Sequence, residues 1–191
     1  KKGLAKKHHK NLKYKSLDVS IESNHQSVIE SVFKWTGRLD CYINCAGFSE
    51  WSPIGKVDAK FLNRMIDINL KGTFWGCKIA SNNLGKGGSI INISSLAGKR
   101  GSANNSVYCA TKFAVNGITQ SLAKELGSQG IRVNAVCPVY IETPGLSKAL
   151  KNQDSPAKNS TEEYLNEFSI NQTALQRLPL GKEVADSCLY L

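Results

Sequence analysis

Short apolar runs alternate along the chain with longer amphipathic stretches, the pattern of βαβ units and a parallel sheet. Tyr14–Val19 reads as a strand ending in polar residues. His25–Trp35 carries Val28, Ile29, Val32 and Phe33 at helical spacing and closes at Thr36-Gly37. Leu39–Ile43 is predicted as a buried strand running into Asn44-Cys45-Ala46-Gly47. Asp58 is a suitable N-cap for one long helix through Phe61, Met65, Ile68 and beyond Trp75, which Gly85–Gly88 breaks. Ser89–Ser95 is the next strand, and a Gly-, Ser- and Asn-rich loop leads from it to a helix over Val107–Leu126. Ile131–Cys137 is a strand stopped by Pro138. Residues 144–160 are polar without periodicity and read as a loop or lid. A helix through Tyr164, Leu165 and Phe168 follows, and another starts near Glu183.

Composition narrows the class. The 191 residues are 41% hydrophobic and 21% charged, which suits one globular domain with a substantial core. The longest apolar run is far too short to span a bilayer. Six scattered cysteines with no C-x-x-C pair read as reduced thiols of a cytoplasmic protein, without zinc or any other metal. The net charge of +10 raises the question of nucleic acid. Much of the excess is Lys1, Lys2, Lys6, Lys7, Lys10, Lys13 and Lys15, with no aromatic residue among them but Tyr14. A stacking platform needs interleaved aromatics, so the terminus reads as a solvated charge run rather than a nucleic-acid site.

The chemistry concentrates between Ser94 and Lys112. Tyr108 and Lys112 stand four residues apart, one turn along one face of a helix. A nearby ammonium favours phenolate, so the spacing predicts a tyrosine with a lowered pKa that can exchange a proton with a carbonyl or alcohol oxygen. Alone, such a pair is ordinary surface decoration. Ser95, thirteen residues earlier at a strand's carboxyl end, adds a hydroxyl where α/β sheets border their ligand crevice. Asn69, mid-helix between Ile68 and Leu70, reads as a buried amide whose partners a water chain to Lys112 would supply.

With these pieces in order, the chain resembles the short-chain dehydrogenases/reductases. The matching stretches are Asn44-Cys45-Ala46-Gly47, Asn69-Leu70-Lys71-Gly72, Ile91-Asn92-Ile93-Ser94-Ser95, Tyr108-x-x-x-Lys112 and Arg132 to Pro138. The resemblance implies an α/β fold, a doubly wound parallel sheet of Rossmann-like, three-layer α/β/α form, incomplete at both ends. It implies NAD or NADP as cofactor and a small carbonyl or alcohol substrate. It further implies a homo-dimer or homo-tetramer that involves neither nucleic acid nor membrane. In that likeness Asn69, Ser95, Tyr108 and Lys112 form a catalytic tetrad, with Ser94 the alternative serine. Tyr108 is the general acid/base, Ser95 polarises the carbonyl, Lys112 also binds the nicotinamide ribose, and Asn69 holds a relay water. Asp18 and Val19 match adenine contacts, and Asn44, Ala46 and Gly47 match contacts along the ribose. Pro138, Ile141 and Thr143 match contacts to the nicotinamide half.

Two departures stand out. Val139 follows Pro138 where the family has glycine, and its Cβ narrows the approach of the nicotinamide ring. The family's opening strand and glycine-rich phosphate turn have no counterpart after Lys1, and its last strand none before Leu191. The expectation is therefore a single truncated NAD(P)-binding domain over 1–191, a piece of a longer ketone/alcohol oxidoreductase. The alternative is a non-catalytic fragment or regulatory protein that keeps the fold without the phosphate-binding loop. Trp51, Asn104, Asn105, Tyr140 and the 144–175 lid are expected to line the substrate pocket. Phe61, Met65, Trp75, Phe113, Val115 and Ile118 supply apolar side chains for an isologous interface.

Overall fold

The computed structural model describes residues 11–157 and 160–191; the basic stretch Lys1–Lys10 lies outside them. Three strands, β1 (Cys41–Asn44), β2 (Ser89–Ile93) and β3 (Arg132–Val136), form one parallel sheet in the order β1-β2-β3. Cys41 pairs with Ser89, and Ser89 with Arg132, so the strands start level and end level. Their carboxyl ends consequently open onto one crevice.

Helices flank this sheet, as expected. α1 (Glu22–Thr36) buries His25 and Ile29, and Gly37 ends it at φ 75°, sending its N–H back to the Phe33 carbonyl. Asp58 caps α2 (Ala59–Met65) by accepting the Phe61 N–H at 2.7 Å, the role the sequence assigns it. The predicted single long helix is in fact interrupted. A π-helical segment, Ile66–Lys71, separates α2 from α3 (Gly72–Ser81) and holds the buried Asn69. α4 (Ser106–Leu126) lays Thr111, Val115 and Thr119 inward at four-residue spacing. The main core joins Cys77, Ala80, Leu84, Ile90, Leu126, Ile131 and Val133.

Three other expectations need correction. Tyr14–Val19 forms no strand. It has no neighbouring strand among the described residues, so its backbone gains no ladder. The segment is instead tied to the helix layer, where the Val19 carbonyl meets His25 Nε2 at 2.8 Å and the Val19 side chain fills the space left by Gly72. β1 is not buried on both faces. Tyr42 and Asn44 turn toward the helices, while Cys41 and Ile43 alternate outward and are exposed. Residues 144–160 hold a helix, α5 (Pro144–Leu150), because Thr143 caps it and Pro144 opens it. Its Ala149 and Leu150 bury against Trp51, Ala157 and Leu165, the last on α6 (Thr161–Gln172). The final helix, α7 (Gly181–Tyr190), begins where the sequence places it.

α3 meets β1 at Gly76, where a Cβ would stand 1.9 Å from Asn44 Oδ1 and 3.0 Å from the Tyr42 ring. Gly76→Ala should therefore lower unfolding free energy in urea by about 1–3 kcal/mol, the usual cost of overpacking.

Candidate active site

The carboxyl end of β2 hands the chain to Ser94 and Ser95, and α4 returns Tyr108 and Lys112 to the same place. Ser95, Tyr108 and Lys112 line one cavity of about 1030 Å³, together with Gly47, Ile141 and Thr143. Asn69 lies just behind its wall. A Cβ on Gly47 would sit 3.7 Å from both Asn69 Oδ1 and Lys112 Nζ, so this glycine stands between the two groups. Of the other residues matched to cofactor contacts, Asp18, Val19, Asn44, Ala46 and Pro138 do not line the cavity. Asn44 is committed to the interior, where its Nδ2 donates to Asn92 Oδ1 at 2.9 Å. The Asp18 carboxylate accepts from the Ser20 hydroxyl and N–H, which hold its pKa below the ordinary value.

Lys112 is 4% exposed, and its ammonium donates to the Ile93 carbonyl at 2.9 Å. Burial pushes its pKa down to about 8, against a smaller upward pull from the Cys45 and Cys137 thiols. Tyr108 behaves differently from the sequence expectation. Its pKa is raised, because burial outweighs the downward pull of the nearby Ser95 hydroxyl. Lys112 Nζ lies 5.7 Å from the Tyr108 ring centroid and is aimed at Ile93. One of the ammonium's bonds is made to the strand end.

Protein groups hold the Asn69 amide. Its Oδ1 accepts the Phe48 N–H at 2.7 Å, and its Nδ2 donates to the Phe48 carbonyl at 2.8 Å and to Thr111 Oγ1 at 3.2 Å. Both amide protons are thus in use, and Thr111 passes its own proton to the Tyr108 carbonyl at 2.8 Å. The side chain fastens the 47–48 turn to α4. Thr111 is a site residue that the sequence reading missed, because a threonine inside a helix gives no signal of its own.

The far wall is aromatic. The Tyr140 and Tyr164 hydroxyls stand 3.1 Å apart, and the Phe168 ring packs edge-on to Tyr140 at 4.7 Å. Arg100, also missed, reaches from the loop after Ser95 to Gln172 Oε1 at 3.0 Å and so ties α6 over the cavity. Thr143 Oγ1 accepts the Leu146 N–H at 3.1 Å, which leaves its proton free.

Comparisons with known proteins agree with this geometry. The family model described as Enoyl-(Acyl carrier protein) reductase matches residues 2–191. Carbonyl reductase family member 4 of Xenopus laevis is 33% identical over 183 residues, covering 92% of this chain and 69% of that protein. The 3-oxoacyl-acyl-carrier-protein reductase FabG of Thermotoga maritima is 34% identical over 182 residues, covering 92% and 67%. The solved structure of ElxO with NADP bound superposes with a TM-score of 0.81 at 30% identity, covering 98% of this chain and 73% of that one.

The buried ammonium sets a pH dependence. The folded pKa of about 8 lies under the ordinary 10.5, so the unfolded chain binds more protons between those values. Stability should accordingly rise with pH across that window, by an amount on the order of a few kcal/mol. Urea titrations at pH 7.5 and 10 should show this rise as the difference between wild type and Lys112→Met, since buried thiols such as Cys77, pushed up to about 11, pull the total the other way.

Proposed function

The chain belongs to the short-chain dehydrogenase/reductase family of NAD(P)-dependent oxidoreductases, and we propose on that premise that it interconverts a ketone and a secondary alcohol by hydride transfer, with Tyr108 as general acid/base. The observation that carries this reading is the convergence of Ser95, Tyr108 and Lys112 on one cavity at the end of β2. The names of two relatives, a carbonyl reductase and a 3-oxoacyl reductase, support carbonyl reduction as the direction of chemistry.

The cavity residues fit the nicotinamide-ribose half of an NAD(P) cofactor. Lys112 gives one N–H to Ile93 and retains two for ribose hydroxyls, while Gly47, Ile141 and Thr143 lie along the same cavity. When bound, the cofactor supplies or accepts the hydride. The protein's own groups manage the proton and the oxygen. Ser95 Oγ accepts the Ala97 N–H at 3.1 Å, and its hydroxyl, beside the Tyr108 phenol, would bond the substrate oxygen that Tyr108 also meets. Tyr108 delivers its proton to that oxygen in reduction and recovers one from the alcohol in oxidation. Burial keeps the phenol protonated before substrate binds. Lys112 counters the phenolate that forms. Asn69, through Phe48 and Thr111, is a positioning residue in this scheme.

All six cysteines are free thiols, which supports a cytoplasmic enzyme. The exposed rings of Phe74 on α3 and Phe113 on α4 support a homo-dimer or homo-tetramer built on these helices. Of the side chains first considered for that interface, Met65 and Val115 are wholly buried and serve the core. Sedimentation at micromolar concentration should show a dimer or tetramer, and a monomer would remove this part of the proposal.

Tyr108→Phe should lower kcat for ketone reduction by about two to four orders of magnitude while the fold persists, the usual share of general acid–base catalysis. Turnover equal to wild type would overturn the assignment.

A further inference from the structure

Asn105 sits one turn before Tyr108 and lines the same cavity. It occupies the N-cap position of α4, where an asparagine ordinarily accepts a backbone N–H from the first turn. Here it makes no such bond. The residue is 5% exposed, and its Oδ1 is a buried acceptor with no partner among the described residues. Its Nδ2 reaches only Ser102 Oγ, at 3.3 Å. Turning the amide over would pair Oδ1 with Ser102 and leave both amide protons unpaired, so one end lacks a partner in either orientation. An orphaned buried polar atom is costly, and the forgone cap adds to the cost.

The surrounding loop holds Asn105 in this unfavourable setting. Asn104 adopts φ 56°, in the left-handed region. Its carbonyl accepts the Ser52 N–H at 2.7 Å, and its Nδ2 donates to the Asp154 carbonyl at 3.1 Å. Two separate segments, at Ser52 and at Asp154, thus clamp the residue before Asn105. A strained backbone and an unspent amide, both beside the reacting group, indicate a binding role.

We propose that Asn105 is a specificity residue whose Oδ1, after a small rotation of the amide, accepts a hydrogen bond from a substrate hydroxyl next to the reacting carbon. The favoured substrates are then α-hydroxy ketones and the vicinal diols formed from them, rather than simple alkyl ketones. The inference rests on the reaction proposed above for the reacting carbon itself. It adds the reason one neighbouring substituent is chosen, because a site built to bond a hydroxyl discriminates against a partner that lacks it.

The test compares hydroxyacetone with butan-2-one, which differ by a hydroxyl against a methyl group. Wild type and Asn105→Ala are assayed with NADH and NADPH, and the thermal midpoint of each ligand-free protein is measured. Wild type should favour hydroxyacetone in kcat/KM by about tenfold or more. Asn105→Ala should lose most of that preference through hydroxyacetone alone, with a thermal midpoint that does not fall, because relief of the orphaned acceptor offsets loss of the single 3.3 Å bond to Ser102. A wild-type ratio near one, an equal loss on both ketones, or a lowered midpoint would overturn the proposal. Were Tyr108→Phe as active as wild type, the reaction assigned above would fall separately. The amide site is then read by 1,2-propanediol, which should raise the midpoint of wild type above the effect of 1-propanol but not do so in Asn105→Ala. No difference between the two alcohols in wild type would overturn it.

Discussion

A lysine ammonium buried to 4% exposure, with the Ile93 carbonyl as its protein acceptor, is the constraint around which the site is arranged. Removing a charge from water is expensive, and its surroundings must supply what solvent no longer does. The loop after Ser95 also packs closely on α4 around the backbone of the same residue. Gly98 runs so near α4 that a Cβ there would stand 2.7 Å from the Lys112 carbonyl. Asn116 donates to the Gly98 carbonyl at 2.8 Å and keeps the loop after Ser95 against the helix. The position of Ser95 relative to Tyr108 is thus set by the packing of this loop on α4.

The interior around this charge is polar to an unusual degree, and its bonds are closed in pairs. Asn92, wholly buried in the middle of β2, accepts from Asn44 on β1 and donates to Thr119 on α4 at 2.9 Å. One side chain therefore spans two strands and a helix. A slip of either strand by one residue would turn these amides to the wrong face and leave each one unpaired. Apolar burial drives the layers together, while the amide and hydroxyl pairs decide the register in which they meet.

The parts of the fold visible in the sequence are those where local pattern and tertiary setting ask for the same thing. β2, β3, α1 and α4 follow their apolar spacing, and Asp58 caps where a capping residue precedes a periodic run. The clustering of Ser95, Tyr108 and Lys112 was also legible, because strand end and helix face are both short-range properties. What could not be read depends on groups distant in sequence. Tyr14–Val19 has the composition of a strand, but pairing requires a neighbour. The partners of Asn69 are a backbone turn 21 residues earlier and a threonine 42 residues later. The direction of the Tyr108 shift depended on how much water the finished cavity excludes, a quantity that one turn of helix does not contain.

The π-helical segment Ile66–Lys71 has a bearing on how this chain tolerates insertion and deletion. A π turn carries one residue beyond the α-helical repeat, so the helices on either side keep faces that an uninterrupted helix would not align. Wound instead as unbroken α-helix, the same sequence would carry everything after it round by about 100°. Gly76 would leave its contact with Asn44, and Cys77 would leave the core. Loss of one residue should therefore be absorbed within residues 66–71, where the extra one is stored, and disruptive within α3 itself. The extra residue acts there as a reading frame for the helix that follows.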